Sequence, residues 1–415
     1  MTGRARANGE GSLFAYRNGY AAYVWVTTPA GTRERRWIYG QDRDELHGRR
    51  IDLQKQARDV PVAAKVPTVA TYLDYWLTEV VKPHLAPATA ANYDMFARLY
   101  VVPGLGAKRL DKLTVRDVQT WLNKLRQTCQ CCAQGKDAAR PAKGRPNQKR
   151  RCCAVGSCCG QRSSERTCRD AWTVLRNVLS NAVREEILTR NVAALVRVSK
   201  PRPRKVKAWT VDEARQLLES ARTDHDPRYV GYVLILVLGL RRGELLGLPW
   251  SGVDFDNAEI TIGWQLQRIA GQLLHRQTKT EASDTILPLP DLCAAALHEH
   301  RQRQERWRAD AGPAWHDDGL VLTTRYGRPI EPRNFHRDFK ARCVKAGVRE
   351  LPVHAMRRTC ASLLVALDVH PCVAMQILRH SQIAVTMNVY SEVSSTETRA
   401  ALKRLGESLG GTDDT

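Results

Sequence analysis

The sequence predicts a mainly α-helical chain with small β-sheets, an α+β protein of three domains, and three observations predict it. Residues 11–40 alternate aromatic and β-branched residues around short turns, the pattern of a small antiparallel sheet. From Pro67 onward the apolar period becomes that of amphipathic helices. A basic, proline-broken stretch, Pro201-Arg202-Pro203-Arg204-Lys205-Val206-Lys207, then separates one helical domain from the next. A length of 415 residues fits two or three domains, and 43% hydrophobic residues suffice for a buried core. The expected domains are 1–60, 67–200 with an insertion at 129–168, and 207–409.

In the first domain, strands are expected at 12–16, 20–27 and 33–39, with Asn18-Gly19 as the first turn and Pro29-Ala30-Gly31 as the second. Arg17, Arg33, Arg35 and Arg36 interleave with Tyr16, Tyr20, Tyr23, Trp25 and Trp37. Two readings fit: a ribbon that enters a DNA groove, or a solvated sheet with an aromatic core. A polar helix over 46–60 leads to a linker. In the second domain Val69, Tyr72, Leu73, Trp76, Leu77 and Val80 share one helical face. A second helix is expected over 89–101, ended by Pro103-Gly104. A third opens at Thr114, with Asp117 three residues on, and a fourth spans 168–188. The third domain opens with a capping box, Thr210 to Glu213, and holds a strand pair near 259–264 and 285–289 within a helical setting.

The formal net charge is +22, and residues 129–205 alone carry 18 Lys and Arg against 5 Asp and Glu. A polyanionic partner accounts for this, because each phosphate neutralised by a cation releases counterions. An arginine-rich host composition is the blander account. No apolar stretch approaches the roughly 20 residues of a bilayer span, and the N-terminus lacks an apolar signal core, so a soluble intracellular protein without membrane contact is expected.

Eight of the twelve cysteines fall between Cys129 and Cys168. In a reducing cytosol such clustering points to metal before disulfides. Cys129, Cys131, Cys132, Cys152, Cys153, Cys158 and Cys159 are candidate ligands of a structural zinc, with free thiols as the alternative. Between them lie Arg140, Lys143, Arg145, Lys149, Arg150 and Arg151. With Arg202, Arg204 and Lys205 of the linker, these are candidate phosphate contacts, or else a solvated charge run.

Three stretches in the last domain carry the chemistry: Gly239-Leu-Arg241-Arg-Gly-Glu244-Leu-Leu; Thr278-Lys279-Thr280; and His354-Ala-Met-Arg357 followed by Leu378-Arg379-His380 and Tyr390. In combination, order and spacing they resemble the tyrosine recombinases, or phage-type integrases, of the λ-integrase superfamily. The resemblance covers residues 67 to about 403 apart from the insertion. It implies a helical SAM-like core-binding domain and a catalytic domain, and residues 1–60 are similar to the arm-site-binding domains of some integrases.

By that resemblance Arg241 and Arg357 clamp the scissile phosphate, a task suited to planar, permanently charged forks. Tyr390 is the nucleophile, His354 and His380 are proton acceptor or hydrogen-bond donors to the phosphate, and Lys279 protonates the 5′-oxygen that leaves. Glu244, one turn from Arg241, has a supporting role. The resemblance further implies a 3′-phosphotyrosine intermediate, no cofactor for catalysis and double-stranded DNA attachment sites. It also implies a homotetramer on two duplexes, an excisionase or host DNA-bending protein as accessory, and action in the bacterial cytoplasm. A helical stretch over 398–409 either packs on a neighbouring protomer or caps its own domain.

Three departures stand out. Leu378-Arg379-His380 replaces the family's Leu-Gly-His, so Arg379 either shifts a turn or adds a phosphate contact. His354-Ala-Met-Arg357 keeps both functional positions of the His-x-x-Arg box. Asp284-Thr285 stands where a basic residue is frequent. A non-catalytic DNA-binding regulator is disfavoured because Arg241, Arg357 and Tyr390 are all present. A monomeric type IB topoisomerase is disfavoured by the bipartite N-terminal half and the tail after Tyr390.

Overall fold

The computed structural model describes residues 12–27, 33–59, 66–136, 152, 156–199, 207–278, 285–380 and 382–390. The chain divides into two compact units, Met1–Pro203 and Arg204–Thr415. No helix among the described residues is long and apolar enough to cross a membrane.

The first unit opens with β1 (Ser12–Tyr16), β2 (Gly19–Thr27) and β3 (Arg33–Gly40), an antiparallel sheet in that order. The first turn is tight, pairing Tyr16 with Gly19, and Arg17 takes a left-handed φ of 51°. Side chains alternate across β2, so Val24 and Val26 face inward to Leu53 of α1 (Arg43–Asp59). The aromatic residues do not form that core. Tyr23 and Trp25 lie opposite Trp37 and Arg35 on the other face, and Phe14, Tyr16, Trp37 and Tyr39 are all exposed. The guanidinium of Arg35 sits 4.7 Å from the Trp25 ring centroid and 5.0 Å from that of Tyr23. Of the two readings, the aromatic core is not what the sheet has: its core is aliphatic. Alanine and valine are small enough to let the sheet and α1 approach, whereas the rings stack on cations in solvent.

A helical bundle follows. α2 (Val69–Tyr75) runs on through a π turn (Trp76–Val81), and α3 (Pro87–Phe96) through another (Ala97–Val101). α4 (Val115–Gln127) starts at the expected Thr114–Asp117 capping box. α5 (Gln130–Ala133) is one turn, and α6 (Glu165–Arg184) supplies Leu175, Val178 and Leu179 to the core with Tyr72, Trp76, Trp121 and Leu122. Pro103-Gly104 does not end the second helix. The chain stays helical over Val102–Leu105, because Pro103 falls in the first turn after the π turn, where its missing N–H costs no helical bond. Gly104 is needed there: a Cβ would lie 2.4 Å from the Trp121 indole, itself anchored by Nε1 donating to the Tyr100 carbonyl at 3.0 Å.

In the second unit, α7 (Val211–Thr223) starts at the Thr210–Glu213 capping box. α8 (Tyr229–Leu238) has nine of its ten residues buried, which makes it the central helix of the core. α9 (Arg242–Leu246) follows directly. β4 (Val253–Asp254) pairs with β5 (Glu259–Ile262), which pairs in turn with β8 (Thr285–Pro288). Between them stands a hairpin that the sequence reading did not separate: β6 (Trp264–Ile269) and β7 (Gln272–Gln277), turned by Ala270-Gly271, both at positive φ. This hairpin backs onto α9. A Cβ on Gly247 would lie 2.5 Å from the Gln265 backbone, and His275 Nε2 is 2.8 Å from the Gly247 carbonyl oxygen. The remaining helices are α10 (Asp291–Ala311), α11 (Pro332–Lys345), α12 (Val353–Ala366), α13 (Pro371–Leu378) and α14 (Ile383–Tyr390).

His300 of α10 is 2% exposed, with Nε2 2.8 Å from the Val321 carbonyl oxygen. Burial, aided by Arg303 and Arg228, lowers its pKa from 6.5 to about 4. The unfolded chain therefore binds a proton that the folded chain refuses between those values, and stability falls as pH drops through that window. At pH 5 the loss from this one group is on the order of 2 kcal/mol. Thermal melts are expected to decline from pH 7 to pH 5, and His300→Gln to flatten that decline. An unchanged slope in the variant removes His300 as its source.

Candidate active site

Four chain segments meet where α8 ends. Gly239 closes the helix in the left-handed region at φ 61°, and a Cβ there would lie 2.6 Å from Leu378 Cδ2, so the ends of α8 and α13 are in direct contact. Arg241 caps α9. Its backbone N–H donates to Glu244 Oε2 at 2.8 Å, and its Nη1 donates to Glu244 Oε1 at 2.6 Å. Its Nη2 donates to the backbone carbonyl of Arg379 at 3.0 Å. The Arg241 side chain remains 37% exposed, whereas Glu244 is only 3% exposed. The guanidinium is thus held from behind while facing solvent.

α12 places His354 and Arg357 one turn apart on the same side. Arg357 is 4% exposed and donates through Nη1 to the Gly239 carbonyl. Its Nη2 is buried without a hydrogen-bond partner. A buried, unmatched guanidinium donor is costly, and an anion is the partner it lacks. Burial, then Arg241 and Arg379, lower its pKa to about 9, so it is still charged at neutral pH. The ring of His354 reaches solvent but is partly desolvated by surrounding protein. That desolvation, with Arg357 and Arg241, lowers its pKa. His380 is lowered to about 4 by burial and by Arg357, Arg241 and Arg379. Both imidazoles are neutral at pH 7 and can accept a proton or donate one N–H. His380 Nδ1 lies 2.8 Å from Thr386 Oγ1, a buried hydroxyl on α14 that orients the ring.

Tyr390 ends α14. Its hydroxyl donates to the carbonyl oxygen of Val369, between α12 and α13, rather than engaging either arginine. Burial and Asp368 raise its pKa, so the phenol is protonated here. Arg241, His354, Arg357 and His380 are thus brought to one electrostatic cluster, and Tyr390 stands at its own tether. Lys279 lies outside the described residues, though β7, which ends two residues before it, is fastened to α9 as above.

Sequence reasoning found Glu244 behind Arg241 but not the other partners of these groups. Of the two roles open to Arg379, the phosphate contact is not made; the residue instead ends α13 in the left-handed region. Its side chain is fully buried, and its Nη2 donates to Glu244 Oε2 at 2.9 Å. The departure from Leu-Gly-His marked the position, but nothing in the sequence told where the side chain goes. Thr386 and the Val369 carbonyl left no signal at all.

In the first unit the described thiols gather. Sγ atoms of Cys129, Cys132, Cys152 and Cys158 all lie within 4.8 Å of one another, and Cys131, Cys152 and Cys159 form an overlapping group. Cys129 Sγ is 3.7 Å from the sulfurs of both Cys152 and Cys159. A tetrahedral ion with metal–sulfur bonds of about 2.3 Å separates its thiolates by roughly 3.8 Å; the Cys129–Cys152 distance matches that span, while Cys132 and Cys152 stand closer, at 2.9 Å, and would have to part to share such an ion. The backbone N–H of Cys159 also donates to Cys152 Sγ at 3.2 Å. Cys168 belongs instead to the helical core. Cys153, Arg140, Lys143, Arg145, Lys149, Arg150, Arg151, Arg202, Arg204 and Lys205 lie outside the described residues, as does the stretch after Tyr390.

Residues 207–397 match the family described as the phage integrase family, and residues 68–126 match the phage integrase N-terminal SAM-like domain. Among curated relatives, a tyrosine recombinase XerC-like protein of Caldanaerobacter subterraneus subsp. tengcongensis is 25% identical, over 93% of this chain and 96% of its own. An integrase of Streptomyces ambofaciens is 27% identical over 88% of each chain. Among solved structures, the Tn1549 transposon integrase in complex with a circular intermediate DNA superposes with a TM-score of 0.60 at 20% identity, covering 82% of this chain and 99% of that one.

Proposed function

The chain belongs to the phage integrase family of tyrosine recombinases, and from that premise we infer that it is a site-specific recombinase that cuts and rejoins DNA to integrate or excise a phage or other mobile element. The observation that carries the reading is the cluster at the end of α8: two arginines, one with an unmatched buried donor, beside two neutral imidazoles.

A phosphodiester fits this cluster. Arg241 and Arg357 bind its non-bridging oxygens and stabilise the charge that grows as the phosphorus becomes five-coordinate. The Tyr390 phenol must leave Val369 and lose its proton as it attacks; neutral His354 is suited to accept that proton, and His380 to donate an N–H to the phosphate. Lys279, just past β7, gives a proton to the departing 5′-oxygen. The products are a 3′-phosphotyrosine and a free 5′-hydroxyl. The covalent bond retains the energy of the phosphodiester, so exchange needs no ATP. Attack by the 5′-hydroxyl of a second duplex reverses the step on a new partner. Two such exchanges pass through a Holliday junction, which calls for a homotetramer on two duplexes, with an excisionase or host bending protein setting direction. The exposed aromatic and guanidinium face of β2 and β3 is read as an arm-type DNA contact, and the cations of 140–151 and 202–205 as grips on the backbone.

The test is a nicked suicide duplex carrying the element's attachment site. A protein–DNA adduct that survives denaturant is expected, and peptide mapping should place the nucleotide on Tyr390. Absence of an adduct on the cognate site, or attachment elsewhere, overturns the reading.

The thiol cluster is read as a structural zinc site held by Cys129, Cys132, Cys152 and Cys158, ligands that flank the basic stretch 137–151 in the sequence. Purified chain is expected to carry about one zinc per molecule. Cys152→Ser should release it and Cys168→Ser should not. Full metal content in the Cys152 variant removes that residue as a ligand.

A further inference from the structure

Position 379 asks for glycine and holds arginine. The residue ends α13 in the left-handed region, at φ 51° and ψ 50°, where a Cβ is disfavoured. Glycine would satisfy that geometry without strain, so the arginine side chain must contribute something the backbone does not.

What it does follows from its surroundings. The side chain is 0% exposed and cannot reach a phosphate in solvent. Its Nη2 donates to Glu244 Oε2 at 2.9 Å, and its Nη1 donates to the carbonyls of Ile377 at 2.9 Å and Leu238 at 3.3 Å. Meanwhile its own carbonyl accepts from Arg241 Nη2 at 3.0 Å. Arg379 thus touches the catalytic arginine through its backbone and the carboxylate behind that arginine through its side chain.

The charges explain the arrangement. Burial alone would protonate Glu244, but Arg379 and Arg241 more than offset this and keep it ionised. A buried carboxylate takes one full positive charge to neutralise it. With Arg241 as its only partner, that pair would be neutral and the exposed fork would have little pull left for an anion. A second, fully buried guanidinium neutralises Glu244 and leaves the three-residue network with a net positive charge at its solvent-facing end, which is Arg241.

We propose that Arg379 is a positioning residue: it serves as the buried counterion of Glu244, so that Arg241 is fixed by that carboxylate yet keeps its charge for the scissile phosphate. The proposal rests on the recombinase reading.

The test is single-turnover cleavage of the suicide duplex by wild type, Tyr390→Phe, Arg379→Met, Arg379→Gly, Glu244→Gln and Arg379→Met/Glu244→Gln, with DNA affinity and melting measured for each. Arg379→Met and Arg379→Gly are expected to slow cleavage by about tenfold to a hundredfold with little change in affinity. The double variant is expected to recover most of that loss, because a neutral glutamine no longer draws on Arg241. Lost packing alone would not be repaired by that second change. The glycine variant keeps the turn unstrained, so its result stands even where the methionine variant melts early. Wild-type rates in both single variants, or a double variant no faster than Arg379→Met, overturn the proposal. If wild type itself forms no adduct, the recombinase reading falls and the proposal with it; if wild type cleaves and the Arg379 variants match it, only the role of Arg379 falls.

Discussion

Tyr390→Phe chain should bind attachment-site DNA with unchanged affinity and form no covalent adduct. The change removes one oxygen. In the structure that oxygen makes a single bond, to the Val369 carbonyl, on a partly buried ring, so the fold should lose about 1 kcal/mol. Chemistry has no substitute for it. The neutral imidazoles and the arginines can stabilise charge but cannot form the phosphoester bond. Removal of the nucleophile in a covalent enzyme costs on the order of 10⁶-fold, which places residual cleavage below detection. The raised pKa of the tethered phenol adds a second expectation. Cleavage by wild type should speed up with rising pH until proton abstraction ceases to limit it. An adduct in the Phe variant, seen on a denaturing gel, would remove Tyr390 from the reaction.

Arg357→Met should separate stability from function. Arg357 is buried beside two other guanidiniums and one carboxylate, and its pKa of about 9 records that burial and the two guanidiniums outweigh the support its charge receives from Glu244. Methionine fills much of the same space without a charge, so the unliganded chain should melt at the same temperature or higher. Cleavage should fall by about 10³-fold or more, since a desolvated donor to the transition-state oxygens is gone. Duplex carrying the attachment site should raise the melting temperature of wild type more than that of the variant. A methionine variant that melts early, or that cleaves within tenfold of wild type, contradicts a role in holding phosphate.

Much of this was legible in the sequence. The capping boxes at Thr114 and Thr210 opened helices where expected, and the alternation of 12–40 gave three strands, although the first turn falls on Arg17-Asn18, one residue before the expected Asn18-Gly19. These are local rules: a side chain and the backbone three residues on, or a pleat of period two. Other features escaped for lack of any local rule. The π turns at 76–81 and 97–101 stand just before Pro83 and Pro103, each proline opening the turn that follows. The hairpin of 264–277 was hidden because its turn, Ala270-Gly271, lacks the asparagine or aspartate that usually marks one. Whether the aromatic residues of the sheet form its core or face outward stayed open because ring content says nothing of which face is covered; α1 decided that by packing on the valines.

The sequence by itself determined the first three strands, the helices opened at Thr114 and Thr210 and the order of the reactive residues, since periodicity and motif spacing are properties of neighbours along the chain. Only the tertiary structure decided that Arg379 turns inward to Glu244, 135 positions away, that Arg357 keeps one donor unmatched, and that the hydroxyl of Tyr390 rests on Val369. Those outcomes follow from burying charge in a core: a carboxylate removed from water takes whatever cation packing brings to it, and packing is settled by contacts that the linear order does not record.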